Sequence, residues 1–563
     1  MTQRTNAGTI SRRAILQLIA VSGPALVGLG SAATAQAQSS LRVPAQQRGF
    51  VGPAASLEEV TIADLQAMLQ AGTLTARRLL EDYLARIEAI DKRGPALNSI
   101  IEINPDARQI AEALDAERAR SGPRGPLHGI PILLKDNIDT ADATRTAAGS
   151  LALVDSQVQQ DATVASRLRD AGAILLGKAG LSEWANFRST RSSSGWSGRG
   201  RQVKHPYVLD HNPCGSSSGS AAAVSANLVA AALGTETDGS IVCPGAVCGV
   251  VGIKPTVGLT SRAGVIPISH TQDTVGPFGR TVADAAVVLG ALTGVDARDP
   301  ATSASSGKSF TDYTQFLQAD GLQGARIGVV RKFRAGISEH VDAVFEAALD
   351  QLRAAGATTQ DVEIPNEEDI RNPAKLPGAN GDSSETIVLQ YDFKADLNSY
   401  LDTRPDAPAH TLADLIQFNL DHADVEMPYF GQERFVQSQS RGPLTDELYQ
   451  GALDLNQTFA AGFARFMIDN GFDALVAPTR GPSWPTDLIN GDHGLVSSSQ
   501  PAAVAGFPLV TVPAGYAFDE LPLGLCFMGP AWNEPTLIRL AYAFEQANPV
   551  RKAPRFLPSL NLA

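Results

Sequence analysis

Apolar residues recur at three- and four-residue spacing once the chain passes Ser56. Val60, Ile62, Leu65, Met68 and Leu69 form one such series, and Leu79, Leu80, Tyr83, Leu84 and Ile87 a second. That is the period of helices with one buried face. A Pro- and Gly-rich turn at residues 121–126 leads to the apolar run 130–134, which fits a buried strand. A second strand is predicted at 173–176, behind a helix through Val164 and Leu168. The alternation continues with a helix at 221–232, a strand at 250–253, a helix at 283–292, a strand at 327–330 and a helix at 341–354. Residues 365–410 are polar and broken by Pro and Gly, and predict an insertion over the substrate entrance, extending to about residue 435. Helical spacing returns at 412–420 and 444–466. Strands at 474–477 and 508–512 and a closing helix at 535–547, with proline in its first turn, complete the pattern. Strands alternating with helices predict an α/β fold layered around a mostly parallel sheet. No internal repeat divides the chain, so residues 56–563 are expected to form one large domain.

The N-terminus departs from this pattern. Residues 1–13 hold Arg4, Arg12 and Arg13 and no acid; an apolar run over 14–35 follows, broken by Gly23, Pro24, Gly28 and Gly30. Ala35-Gln36-Ala37 then offers an A-x-A cleavage site. Residues 1–37 therefore read as a secretory signal, with Gln38 the first mature residue and 38–55 a polar linker. Ser11-Arg12-Arg13-Ala14-Ile15-Leu16 resembles the twin-arginine export type. A membrane anchor is the competing reading, opposed by the glycines, the proline and the cleavage site. The expected location is the periplasm or beyond.

Composition narrows the function classes. Over 563 residues the chain is 44% hydrophobic and 19% charged, ordinary globular proportions, and its net charge of −13 argues against nucleic-acid binding, which needs a basic patch. Four cysteines (Cys214, Cys243, Cys248, Cys526) are too few for a disulfide scaffold. Buried thiols or one disulfide is the better reading, and neither metal nor cofactor is expected.

Three local patterns imitate known sites and fail on context. Residues 172–178 approximate a phosphate-binding loop, but Ala179 stands where Ser or Thr is needed and the middle is an apolar strand. Ser305 to Lys308 matches S-x-x-K without companion motifs, and Ser217 in G-x-S-x-G lacks the hydrophobic strand that a nucleophile elbow requires. What remains is Lys135 in HGIPILLKD, Ser216 in PCGSSSGSA and Ser240 in GTETDGSIVCPG. If they converge, they make a serine nucleophile activated by an amine. A serine hydroxyl attacks a carbonyl only when a base takes its proton. A lysine serves as base only when neutral, so its pKa must fall well below about 10.4. Burial beside the strand 130–134 pushes it that way.

The segments HGIPILLKDN (128–137), PCGSSSGSAAAV (213–224), GTETDGSIVCPGAVCGVVGIKPTVG (234–258), TQDTVGPFGRTVADAA (271–286) and AGFPLVTVPAG (505–515) together resemble the amidase signature family. The resemblance runs from about Leu57 to Leu557. Within the family, the ETDGSIVCP segment, Phe393-Lys394 and MPYFGQE (427–433) are most similar to the bacterial peptide amidases. The resemblance implies a large mixed β-sheet covered on both faces by helices. It also implies that Ser240 is the acylated nucleophile, Ser216 the bridging serine after a cis peptide bond, and Lys135 the terminal base. The backbone N–H groups of Thr237, Asp238, Gly239 and Ser240 correspond to the oxyanion hole. His128 and Asp136 are expected to be structural.

Two positions leave the family pattern. Asp238 stands where a glycine is common, and Val242 replaces an arginine that would offer a carboxylate clamp. Both favour a neutral carboxamide, such as the C-terminal amide of a peptide, over a free acid. The expected activity is thus a serine amidase releasing ammonia, with an aryl-acylamide or general aliphatic amidase as the alternative and a non-catalytic binding protein on this scaffold as the distant one. A tRNA-linked amidotransferase component shares the family, but the export signal opposes it. The expected partner is a small-molecule or peptide amide, without nucleic acid or stable membrane association after signal cleavage. The oligomeric state stays open.

Overall fold

The computed structural model describes residues 57–561. The predicted signal (1–37) and linker (38–55) lie outside the described residues. In chain order the strands are β1 (Ile100–Ile103), β2 (Pro131–Lys135), β3 (Ile174–Ala179), β4 (Ala231–Glu236), β5 (Val251–Lys254), β6 (Thr274–Gly279), β7 (Arg326–Val330), β8 (Thr358–Val362), β9 (Ala474–Pro478), β10 (Leu509–Ala517) and β11 (Leu521–Met528). They form one sheet in the order β1-β3-β2-β4-β6-β5-β10-β11-β9-β7-β8.

The sheet corrects the expectation of mostly parallel strands. Among the described residues, six of its ten pairings are antiparallel. Parallel pairing survives at β2 with β3 and β4, and at β7 with β8 and β9, where helices make the crossovers. The centre is antiparallel because β10 and β11 are joined by a short turn and β6 inserts between β4 and β5.

Two apolar cores lie under one half of the sheet. One joins Leu133, Leu176, Ala232 and Phe278 to the helix Ser218–Ser225; the other joins Leu134, Leu175, Leu233 and Val275 to the N-terminal helices. The alternating residues of β2 and β4 thus face opposite layers, as a strand buried on both faces requires. A third core, around Ile327, Val476, Val510 and Phe527, fills the other half.

The region expected to be an insertion is more helical than its polar composition suggests. It holds the 18-residue helix Ser384–Leu401 and the helices Leu412–Asp421 and Glu433–Gln439. Leu389, Phe393, Leu397, Leu412, Leu415 and Phe435 pack there against Ala147, Ala148 and Trp184.

Candidate active site

Lys135 is the last residue of β2 and is wholly buried. Its Nζ lies 2.7 Å from Ser216 Oγ, 2.8 Å from Thr235 Oγ1 and 3.2 Å from the Thr235 carbonyl. Parallel pairing of β2 with β4 sets this geometry, because β4 carries Thr235 alongside the end of β2. Asn137 Nδ2 donates to the same Thr235 hydroxyl at 3.0 Å. Burial in this apolar sheet lowers the Lys135 pKa to about 7, with Asp273 and Glu236 opposing. Among the described residues, no carboxylate pairs with the amine directly.

Ser216 and Ser217 precede the helix Ser218–Ser225, and the Gly215–Ser216 peptide is cis. The helix starts close against β1 and β3, and a side chain at Gly219 would run into the backbone of Ser99 and Gly180. The Ser217 N–H donates to the Ser240 carbonyl at 3.1 Å, so the two serine segments touch. The Ser217 side chain is turned to the Thr235 carbonyl at 3.1 Å. Lys135 and Ser216 are fully enclosed, whereas Ser240 is 7% exposed.

The loop after β4 is held from inside. Glu236 accepts from the N–H groups of Gly239 (2.9 Å), Ile241 (2.8 Å) and Val242 (2.9 Å). Gly239 has φ +79°, the left-handed region where glycine is favoured, and a Cβ there would sit 3.0 Å from Ser499 Oγ. Gly239 N–H, expected as a backbone donor into the site, donates instead to Glu236 in this structure. Among the described residues, the N–H groups of Thr237, Asp238 and Ser240 have no partner. Thr237 is fixed by its hydroxyl, which donates to Asp273 Oδ1 at 2.6 Å, while Gln272 Nε2 donates to its carbonyl at 3.3 Å.

Asp238 is the exposed residue of the loop. Surrounding protein still pushes its carboxyl upward, against a hydrogen bond from Ser499 and the charges of Arg371 and Arg480. Glu385, on the helix Ser384–Leu401, faces the same region. Burial, and then the Asp238 charge, raises its pKa as well. Gln272 and Gln500 donate to its two oxygens at 3.1 Å and 2.6 Å. Sequence reasoning missed Asn137, Thr235, Glu236, Gln272 and Asp273, although all five lie inside the segments that carry the family resemblance. Glu385 and Gln500 carry no such signal.

The residues set aside behave structurally. His128 is buried with Nε2 3.0 Å from the Leu114 carbonyl. Asp136 accepts from Gly149 N–H at 3.0 Å and Arg199 at 2.6 Å. A cavity of about 400 Å³ lies behind the loop, lined by Arg262, His270, Asp273, Asp396 and Tyr400 but by neither serine. Two of the four cysteines, Cys214 and Cys243, form a disulfide; Cys248 and Cys526 are buried and free.

The long mixed sheet places a buried amine at a strand end beside Ser216, and the amidase family profile matches residues 78–538: the protein is an amide-hydrolysing enzyme, and the chain belongs to the amidase family. Among solved structures, the native peptide amidase from Stenotrophomonas maltophilia is 49% identical, with a TM-score of 0.82 over 89% of this chain and 99% of that one. A probable amidase from Arabidopsis thaliana is 44% identical, covering 89% of this chain and 92% of that protein. A putative amidase from Schizosaccharomyces pombe is 39% identical, over 89% of this chain and 87% of its own length.

Proposed function

We propose that this amidase is an exported enzyme that hydrolyses a neutral carboxamide, the C-terminal amide of peptides, to a carboxylate and ammonia through an acyl-enzyme on Ser240. The observation that carries the reading is the enclosed Lys135 amine, 2.7 Å from Ser216 Oγ, with its pKa lowered to about 7. A neutral amine in that position is a base that needs no histidine. Lys135 takes the proton of the Ser216 hydroxyl as Ser216 Oγ takes that of Ser240. Ser240 Oγ then bonds to the amide carbon and the C=O pair moves to oxygen. The free N–H groups of Thr237, Asp238 and Ser240 stabilise that oxyanion, each contributing about 3–4 kcal/mol. Collapse breaks the C–N bond, and the departing ammonia takes its proton back along the same relay. Water then repeats the attack on the ester and frees the acid.

Three observations support the finer points. Likeness to the Stenotrophomonas peptide amidase supports the peptide amide. Val242 in place of arginine leaves no carboxylate clamp beside the nucleophile. The arginine pair and cleavage site near the N-terminus support export, and a structural disulfide fits an oxidising compartment. Ammonia release from a panel of peptide amides, free peptides, aryl acylamides and simple aliphatic amides tests the substrate. Peptide amides are expected to lead by kcat/KM. Turnover of the simple or aryl amides with peptide amides untouched overturns that choice.

A further inference from the structure

We propose that the Cys214–Cys243 disulfide is a positioning device for catalysis, holding the two serine-bearing segments in register so that full turnover requires the oxidised bridge. The inference rests on the Ser240–Ser216–Lys135 reading above. Cys214 lies two residues before Ser216, and Cys243 three residues after Ser240. Their Cα atoms are 6.0 Å apart, and 29 residues of sequence separate them. The bridge thus joins the two segments that carry Ser216 and Ser240.

Most other anchors fix each segment to its own surroundings, and the two also meet through the end of β4, where Ser217 Oγ donates to the Thr235 carbonyl at 3.1 Å. Glu236 fastens Gly239, Ile241 and Val242 to the end of β4. On the opposite side the Ser216 carbonyl accepts from Ser182 N–H at 3.0 Å, the Cys214 N–H donates to Asn212 at 2.8 Å, and the Cys214 carbonyl accepts from Ser218 at 2.6 Å. Among the described residues, one hydrogen bond joins residues 214–217 directly to 239–243: Ser217 N–H to the Ser240 carbonyl. With the bridge open, that bond, the Ser217–Thr235 hydrogen bonds at the end of β4 and side-chain packing would be left to set the Ser216–Ser240 separation. A displacement of about 1 Å between reacting groups costs on the order of 100-fold in rate.

The chemistry of opening is simple and balanced. A dithiol reagent supplies two electrons and two protons, becomes a cyclic disulfide, and leaves thiols at Cys214 and Cys243. The other cysteines do not confuse the readout. Cys248 and Cys526 are fully buried, and burial raises both thiols, Cys526 to about 12.

The full chain is reduced natively with dithiothreitol, desalted and assayed for kcat and KM on a peptide amide. Fluorophosphonate labelling of Ser240, near-UV circular dichroism and a thiol count in denaturant accompany the assay. Expected are two thiols before reduction and four after, a fall in kcat and labelling rate of about 10- to 100-fold, a KM that moves far less, and recovery on reoxidation. The C214A/C243A double variant should show the same loss and no response to dithiol. Four thiols in the isolated protein, full kcat in the reduced enzyme or the double variant, or activity lost only in step with the circular dichroism each overturn the inference. Failure of the underlying reading is separable: Ser240→Ala would then keep its activity, whatever the bridge does.

Discussion

Among the described residues, Lys135 has no counter-ion within hydrogen-bonding reach, and its nearest polar atoms are two hydroxyls and a carbonyl. Such surroundings solvate a neutral amine well and an ammonium poorly, which is why burial outweighs the more distant Asp273 and Glu236 in bringing its pKa to about 7. Protonation removes the base, so kcat/KM should fall tenfold per pH unit below about 7 and level off above it. Lys135→Arg, charged at every accessible pH, should be inactive throughout. A profile without that acidic limb in the wild type would place the base elsewhere. The motifs alone point to this amine and both serines, because a nucleophile and its base need glycine-rich backbone beside them. They do not separate Gly239 from its neighbours as a donor, since a carboxylate folding back from Glu236 onto three N–H groups leaves no periodic signature. Glu236→Ala orphans those donors at roughly 1–3 kcal/mol each and lets the nucleophile loop relax. Its kcat should drop about 100-fold, with KM less affected, when measured at a temperature where circular dichroism remains native.

At the scale of elements, strands buried on both faces are legible as short apolar runs. Those at 130–134, 173–176, 250–253, 327–330 and 474–477 fall on β2, β3, β5, β7 and β9, within a residue or two at most ends. β4 reads as the tail of a helix, because Ala221 to Ala232 is almost unbroken small apolar sequence and has no period to betray the turn between residues 226 and 230. β6 is hidden because glycine and proline interrupt it, and β8 because it is an edge strand with largely polar, exposed residues. The helix Ser384–Leu401 escapes for the opposite reason. Seven consecutive residues, Ile387 to Phe393, are buried in it, so no polar stripe marks its period. What fastens the neighbouring segment 426–430 to the stretch after β3 is equally invisible in sequence. Arg188, fully buried, pairs with Glu183 at 2.5 Å, donates to the Glu426 and Phe430 carbonyls and lies 4.5 Å from the Phe430 ring. Removing it strands Glu183, so Arg188→Ala should cost about 3–5 kcal/mol in urea unfolding. It should also raise KM for peptide amides if segment 426–435 shapes access. The R188M/E183L pair, which removes the stranded Glu183 charge but keeps the buried Glu426 carboxylate, should recover part of the stability while KM stays high.

On the proposed reading the whole chain combines an export signal with a catalytic centre stitched by a disulfide, and the order of export and bridge closure matters. A twin-arginine route carries proteins already folded, and Cys214 and Cys243 are only 4% and 6% exposed once folded. On the proposed reading the chain folds with both thiols reduced in the cytoplasm, where disulfides are rare, and closes the bridge after crossing. Activity would then be withheld until export, sparing cytoplasmic amides. The Arg12→Lys, Arg13→Lys double variant tests this directly, because it alters neither the domain nor the site. It should remain in the cytoplasm, give a native circular dichroism spectrum and carry four titratable thiols against two in the exported enzyme. Its kcat on a peptide amide should be about 10- to 100-fold lower until a mild oxidant restores it. Retention with two thiols and full kcat would separate the bridge from export. Unimpaired export of the variant would point instead to the general secretory route, in which the chain crosses unfolded and its thiols pair as it folds.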